Sequence, residues 1–313
     1  MSVGNIKISL FCVFLLMVSM PSLAQVDFMM IQNWAIPTLH NPAFAGTSEY
    51  VRVRGGASIR ELGSHASPKN FMAVAEAPFK IATSRIGAGV VVNNASYGVF
   101  RNLLVGGQGN YQFQIKKSKL NVGIQIGYYH STYQGDSISH NEKLSGGAFD
   151  MGIGVLYSHP KFYIGLSGLH LTSPKLRMTK NGENQSDPIY TDTKLPTYLY
   201  FEAGGNIEVK KSLFKLQPSV LLGSDFSNFD ALFEMRSTYN QFLTFGVDYR
   251  LKNVAGIFAG INVKDFFIGY SWGYDFKASV KGNTGNHELI VGYQFKLDLE
   301  KKNTFRQRSI RIM

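Results

Sequence analysis

Side chains that could do covalent chemistry are few in this 313-residue chain. Its single cysteine, Cys12, lies in an apolar N-terminal run, so the chain beyond that run has no thiolate nucleophile, disulfide or cysteine metal site. The seven histidines (His40, His65, His130, His140, His159, His170 and His287) are scattered, with no i, i+2 pair and no HExxH spacing. No metal site is expected from them. Ser64-His65 sets a hydroxyl beside a base, but acyl transfer needs the two brought together with an orienting third group. Adjacent residues on a strand point apart, so the pair reads as part of a polar loop. No catalytic residue and no cofactor are expected. Two sets of charges remain. Glu76, Asp150, Glu202, Glu234, Arg236 and Asp248 sit inside segments patterned as strands and, with His170, suit an enclosed polar network. Lys116, Lys117, Lys119, Lys210, Lys211 and Lys264 sit in or beside short links and suit a basic rim that steers an acidic partner.

The elements that position these groups follow from a period of two. Asn121 to Tyr128 sets Val122, Ile124, Ile126 and Tyr128 against Asn121, Gly123, Gln125 and Gly127. Leu243, Phe245, Val247 and Tyr249 oppose Thr244, Gly246, Asp248 and Arg250, and Leu289, Val291, Tyr293 and Phe295 oppose Ile290, Gly292, Gln294 and Lys296. About fourteen such segments recur, over 49-58, 69-79, 85-94, 101-114, 119-130, 149-157, 161-171, 197-209, 213-224, 229-237, 240-250, 253-262, 265-275 and 286-297. Short links alternate with longer ones, the longest being 131-148, 172-196 and 276-285. Two supposedly long links, near Asn228 and Lys252, are short. This is the pattern of an all-β, antiparallel transmembrane barrel with short periplasmic turns, long outer loops and both termini in the periplasm. In lipid the apolar face points outward, and strand charges must face the lumen. Tyr111, Phe113, Tyr128, Tyr157, Tyr249, Trp272, Tyr293 and Phe295 would form the interfacial girdles.

The rest of the chain fits an exported membrane protein. Lys7, the apolar run Ile8 to Met20 and Ser22-Leu23-Ala24 make a signal peptide over 1-24, cleaved near Ala24. That run is too short for a comfortable helical span, and no other apolar stretch reaches spanning length. Only 17% of residues are charged, while Gly (32), Tyr (16) and Phe (23) are abundant, as girdled barrels require. The net charge of +11 is spread over turns and loops and not along one stripe, so nucleic acid is not an expected partner. The division is then 25-48 as a pre-barrel segment, 49-297 as the barrel and 298-313 as a basic periplasmic tail.

Several ordered motifs carry a resemblance. Asn41-Pro42-Ala43-Phe44-Ala45-Gly46 follows Gln32 and Pro37. Ser67-Pro68-Lys69-Asn70-Phe71, Arg85-Ile86-Gly87-Ala88-Gly89, Asp150-Met151-Gly152-Ile153-Gly154 and Tyr163 to Leu171 come next. Leu195-Pro196-Thr197-Tyr198, Gln217-Pro218-Ser219-Val220-Leu221, Gly246 to Arg250, Ile268-Gly269-Tyr270-Ser271 and Asn286-His287-Glu288-Leu289 complete the set. Across nearly the whole chain this resembles the PorP/SprF family of the Bacteroidetes type IX secretion system. Ile31 and Ile36 depart from it, standing where the family usually has Ser and Asn. The resemblance implies a non-enzymatic outer-membrane component that supports export or surface anchoring of a specific secreted adhesin. It also implies a link to gliding motility, to periplasmic type IX machinery and to peptidoglycan. The alternative is a porin or transporter for small solutes. Under the first reading Asn41, Pro42, Phe44 and Gly46 belong to a plug or partner strap entering the lumen. Lys116, Lys117, Lys210 and Lys211 are then candidates for partner contact.

Overall fold

A computed structural model describes residues 29–62, 67–81, 84–134, 144–180, 191–209, 212–251, 253–276 and 284–297. The expected signal peptide, the basic tail, Ser64-His65 and Lys210-Lys211 lie outside the described residues. Seventeen strands follow in order: β1 (Tyr50–Ile59), β2 (Lys69–Ile81), β3 (Ser84–Tyr97), β4 (Phe100–Ile115), β5 (Ser118–Tyr133), β6 (Leu144–His159), β7 (Phe162–Leu169), β8 (Lys175–Lys180), β9 (Thr191–Lys194), β10 (Tyr198–Gly205), β11 (Ile207–Glu208), β12 (Phe214–Ser224), β13 (Phe229–Tyr239), β14 (Leu243–Arg250), β15 (Val254–Val263), β16 (Phe266–Asp275) and β17 (Asn286–Lys296). β1 pairs on one side with β2 and on the other with β17, from Tyr50↔Lys296 to Ile59↔His287, so the sheet closes on itself. β10, continued by β11, lies between β7 and β12. With β8 and β9 set apart as a hairpin, the wall is a closed antiparallel barrel of 14 strands. Closure removes the unpaired edges that lipid could not satisfy.

The alternation sorts the two faces. Val122, Ile124, Ile126 and Tyr128 are exposed on the outside, while Asn121 and Gln125 are buried inside. Aromatic rings gather at the strand ends. Tyr111–Phe113, Phe214–Tyr239 and Phe266–Tyr293 pair at 4.5, 4.8 and 4.8 Å near one end, and Trp272–Tyr274 and Tyr274–Phe276 near the other. We call the end where β1 begins and β17 finishes the turn end, and the opposite one the loop end. At the turn end β13 runs to Tyr239, two residues beyond the sequence-based boundary. The reversal falls on Asn240 and Gln241, both at positive φ, with the Phe242 N–H donating to the Tyr239 carbonyl. Two successive left-handed residues make the tight hairpin turn that matches strand twist. At the loop end three links are short and not two, because β3 and β4 stay paired through polar residues up to Tyr97↔Phe100. The long link 172–196 contains the β8–β9 hairpin, whose Leu176 packs with Leu195, Leu104 and Tyr129.

The lumen is filled. Residues 29–46 run inside it as three single-turn 3-10 helices, Asn33–Ala35, Pro37–Leu39 and Pro42–Phe44. Pro37 and Pro42 each open a turn, where their fixed φ is favourable and their missing N–H is not needed. The Asn41 side chain accepts from the Ala43 N–H at 2.9 Å and caps the third turn.

Candidate functional site

We call residues 29–46 the strap. It descends from the loop end to the turn end, and the wall holds it at each level. Near the loop end Arg60 donates to the Met29 carbonyl at 2.7 Å. The Ile31 and Gln32 N–H groups donate to the two oxygens of Glu288 at 3.0 and 3.1 Å. Ser58 and Ser271 also donate to Glu288, and Gln32 reaches Ser271 through its own amide at 3.2 Å. Charge-assisted bonds of this kind are about twice as strong as neutral ones. One level down, Trp34 lies between Phe258 and Phe267, with ring centroids 6.0 and 5.6 Å away. The Arg236 guanidinium stands 4.4 Å over the Trp34 ring, and Arg54 donates to the Ala35 carbonyl while covering Phe267.

The lower strap is held by amides and carboxylates. Gln108 donates to the Thr38 carbonyl at 2.7 Å, and Ser167 donates to the His40 carbonyl. Asn41 donates to Glu202 at 2.7 Å, and His40 Nε2 lies 3.7 Å from the same carboxylate. Asn110 donates to the Ala45 carbonyl at 3.1 Å, and the Gly46 N–H donates to Glu76 at 2.9 Å. Arg52 pairs with the other oxygen of Glu76 at 2.6 Å. Here the strap backbone lies directly on wall glycines. A Cβ at Gly87 would be 2.9 Å from the Gly46 Cα, and one at Gly123 only 2.6 Å from the Ala43 Cα. Gly46 itself has φ +63°, which glycine adopts without strain.

The strand charges anticipated from sequence divide accordingly. Glu76 and Glu202 hold the strap. Asp150 is fully buried and bonds His170 Nδ1 at 2.8 Å, higher up near the loop end. Glu234 lies 3.8 Å from Arg236 on its own strand and opposite Asp248 across β13–β14. Neither oxygen of Asp248 meets a hydrogen-bond donor among the described residues. Asn41, Pro42 and Gly46 are buried against the barrel's own wall, and Phe44 meets Tyr163 edge-on at 6.1 Å. A second protein would reach them only if the strap left the lumen. Lys116 and Lys117 form the exposed turn between β4 and β5. His287 does not enter the lumen. It faces outward, and the Tyr270 hydroxyl lies 2.7 Å from its Nδ1, because strand parity puts Glu288 and not His287 inside.

Several lumenal residues were passed over in the sequence reading: Glu288, Arg52, Arg54 and Arg60 around the strap, and the Asp230–Arg250 pair between two wall strands, in which the Arg250 Nε donates at 2.6 Å. Parity alone would have found Glu288, two positions from inward-facing Ile290. Among the described residues no group of three or more His, Cys, Asp or Glu is placed to hold a metal, and no helix is long and apolar enough to cross a membrane.

A closed, girdled antiparallel barrel with an apolar outer face is the architecture of an outer-membrane β-barrel. Solved structures of such barrels share the fold. The Ralstonia pickettii toluene transporter TbuX aligns with TM-score 0.53 at 11% identity, over 83% of this chain and 93% of that one. A deletion mutant of the monoaromatic hydrocarbon channel TodX aligns with TM-score 0.50 at 11% identity, over 86% and 95%. At such identity the likeness concerns the fold alone. No curated protein matches the sequence. The sequence profile of the type IX secretion system membrane protein PorP/SprF matches residues 23–293, and the chain belongs to that family. It is therefore an outer-membrane component of type IX secretion.

Proposed function

We propose that this barrel is a non-enzymatic scaffold that retains or helps export one specific secreted protein, such as an adhesin, and ties it to the periplasmic type IX machinery and peptidoglycan. The observation that carries this reading is the strap. Carboxylates at three levels, Glu288, Glu202 and Glu76, bind it within the lumen, where a porin for small solutes needs open water. In this reading the signal peptide is cleaved near Ala24, the turn end faces the periplasm and the loop end faces outward. The exposed turn Lys116-Lys117, together with Lys210 and Lys211, steers an acidic periplasmic partner, a role electrostatics serves mainly through encounter rate. The test is to crosslink cells lightly, purify the tagged barrel from its native outer membrane in mild detergent and identify what accompanies it. Type IX components or one large surface protein are expected. A solitary barrel that conducts ions in planar bilayers would overturn the reading in favour of a solute channel.

A further inference from the structure

Four neighbouring strands carry the same break on their outward faces. Toward the loop end an apolar run stops and a polar one begins. Phe71 gives way to Lys69 on β2, Val92 to Asn94 and Ser96 on β3, Leu103 to Arg101 on β4, and Tyr128 to His130 and Thr132 on β5. Parity fixes the direction of these side chains. Phe71, Val90, Val105 and Tyr128 are 53, 53, 44 and 55% exposed, while Met72, Val91, Leu104 and Tyr129, one residue away from each, are buried in the lumen.

Register sets the polar residues side by side. Lys69 pairs with Ser96, Ser96 with Arg101 and Arg101 with Thr132, so the four form one row across β2 to β5. Strands about 4.8 Å apart put the Lys69 and Arg101 Cα atoms about 10 Å from each other. Asn94 and His130 stand in the next row toward the turn end, on either side of Leu103. His130 stacks on Tyr128 at 6.4 Å, and its Nε2 lies 3.5 Å from the Thr132 hydroxyl. The row is not a belt that repeats round the barrel. At the same end the tip between β12 and β13 displays Phe226, 76% exposed, with its N–H donating to the Ser224 hydroxyl.

Lys69 and Arg101 are both exposed, on the lipid side of the wall and not in the lumen. A charge in hydrocarbon is expensive, so these two mark the level of the headgroups, with their stems lying along the apolar face. The group complementary to them there is a phosphate. A guanidinium grips it through two parallel N–H bonds, an ammonium adds a point charge, and the Ser96 and Thr132 hydroxyls can donate beside them. The exposed Phe71, Val105 and Tyr128 directly below suit acyl chains, which selects a lipid over a soluble phosphate. We infer that Lys69, Ser96, Arg101 and Thr132 bind the phosphorylated headgroup of an outer-leaflet glycolipid, whose acyl chains lie on the apolar face of β2 to β5. The inference takes from the proposed function only the outward direction of the loop end.

The test is native mass spectrometry of the full barrel in mild detergent, titrated with three probes. These are the phosphorylated glycolipid extracted from the same outer membrane, that glycolipid stripped of its phosphates, and phosphatidylglycerol. The variants are Lys69→Gln, Arg101→Gln and the two combined. Lys161→Gln with Lys215→Gln removes the same charge at the turn end and serves as control. The intact glycolipid should bind best, and its affinity should fall about fivefold for each cation removed and about thirtyfold for both. The control should bind as the wild type does, and heat-modifiable gel migration should be unchanged throughout. A combined variant that binds like the wild type overturns the site. An equal loss in the control also overturns it, since net charge would then be the cause. Binding that survives phosphate removal reduces the site to its apolar face, and a preference for phosphatidylglycerol assigns it to the inner leaflet. Either result overturns it. All of these outcomes leave the scaffold reading to be decided by what co-purifies with the barrel.

Discussion

Gly123→Ala tests whether the strap is seated as tightly as the wall geometry requires. A Cβ there would lie 2.6 Å from the Ala43 Cα, where ordinary contact begins near 3.4 Å, so the strap must retreat by about 1 Å. The neighbouring bonds from Asn41 to Glu202 and from Asn110 to Ala45 lengthen with it. Overpacking of this kind costs about 1–3 kcal/mol. Since 1.4 kcal/mol is tenfold, the undocked population rises by roughly 5- to 150-fold. The readout is alkylation of Thr38→Cys by a water-soluble maleimide. Thr38 is almost fully buried, its hydroxyl meets no hydrogen-bond partner among the described residues, and the sole native cysteine, Cys12, is replaced by serine so that only the introduced thiol reacts. When opening is fast relative to labelling, the rate follows the open population. Gly107→Ala is the control, because a Cβ there meets nothing within 4 Å. Labelling of a folded Gly123→Ala barrel within about twofold of that control would refute the seating, because it would correspond to less than about 0.5 kcal/mol.

Three further outcomes follow from the anchors. Glu288→Ala removes the acceptor for Ile31 and Gln32, bonds to a charged group worth about 1.5–3 kcal/mol each. Labelling at Met30→Cys should rise well above that in Glu288→Gln, which keeps an acceptor. Arg52→Ala leaves Glu76 buried without its cation, a loss of about 3–5 kcal/mol. Adding Glu76→Gln should recover much of it, measured as the midpoint of heat-modifiable unfolding. Charge reversal of the exposed turn by Lys116→Glu and Lys117→Glu should lower recovery of the periplasmic partner more at low salt than at high salt, with barrel stability unchanged.

The wall was legible in the sequence because lipid and lumen impose opposite demands on alternate residues. The segment read as 119-130 lies within Ser118–Tyr133, and the one read as 265-275 covers all of Phe266–Asp275. What periodicity does not carry was harder to see. The strap has no repeat, and its turns follow from Pro37, Pro42 and the Asn41 cap, which act locally and leave no periodic trace. The β8–β9 hairpin lies in a stretch that composition marks as loop. Its packing on Tyr129 and Leu104 is long-range, so no local signal reports it. At His287 and Glu288 strand parity decides orientation, turning the histidine out and the carboxylate in.

One departure from the sequence logic explains what kind of object the strap is. A water-filled lumen calls for polar inward faces, yet Met72, Val74, Val91, Phe267 and Ile290 all point inward and are buried. They form a single apolar cluster with Met30, Ala35 and Ile36 of the strap, and Trp34 packs against it. The wall was therefore built around the strap, which serves as the hydrophobic core that a barrel of this size otherwise lacks. Each such side chain contributes about 1.5–3 kcal/mol when buried. Deleting residues 29–46 should thus do more than unblock a pore. It should lower the midpoint of heat-modifiable unfolding and expose an apolar lumen that binds a hydrophobic dye. A deletion barrel that conducts ions yet unfolds at the wild-type midpoint would show the strap to be a removable stopper, and the apolar cluster would then need another explanation.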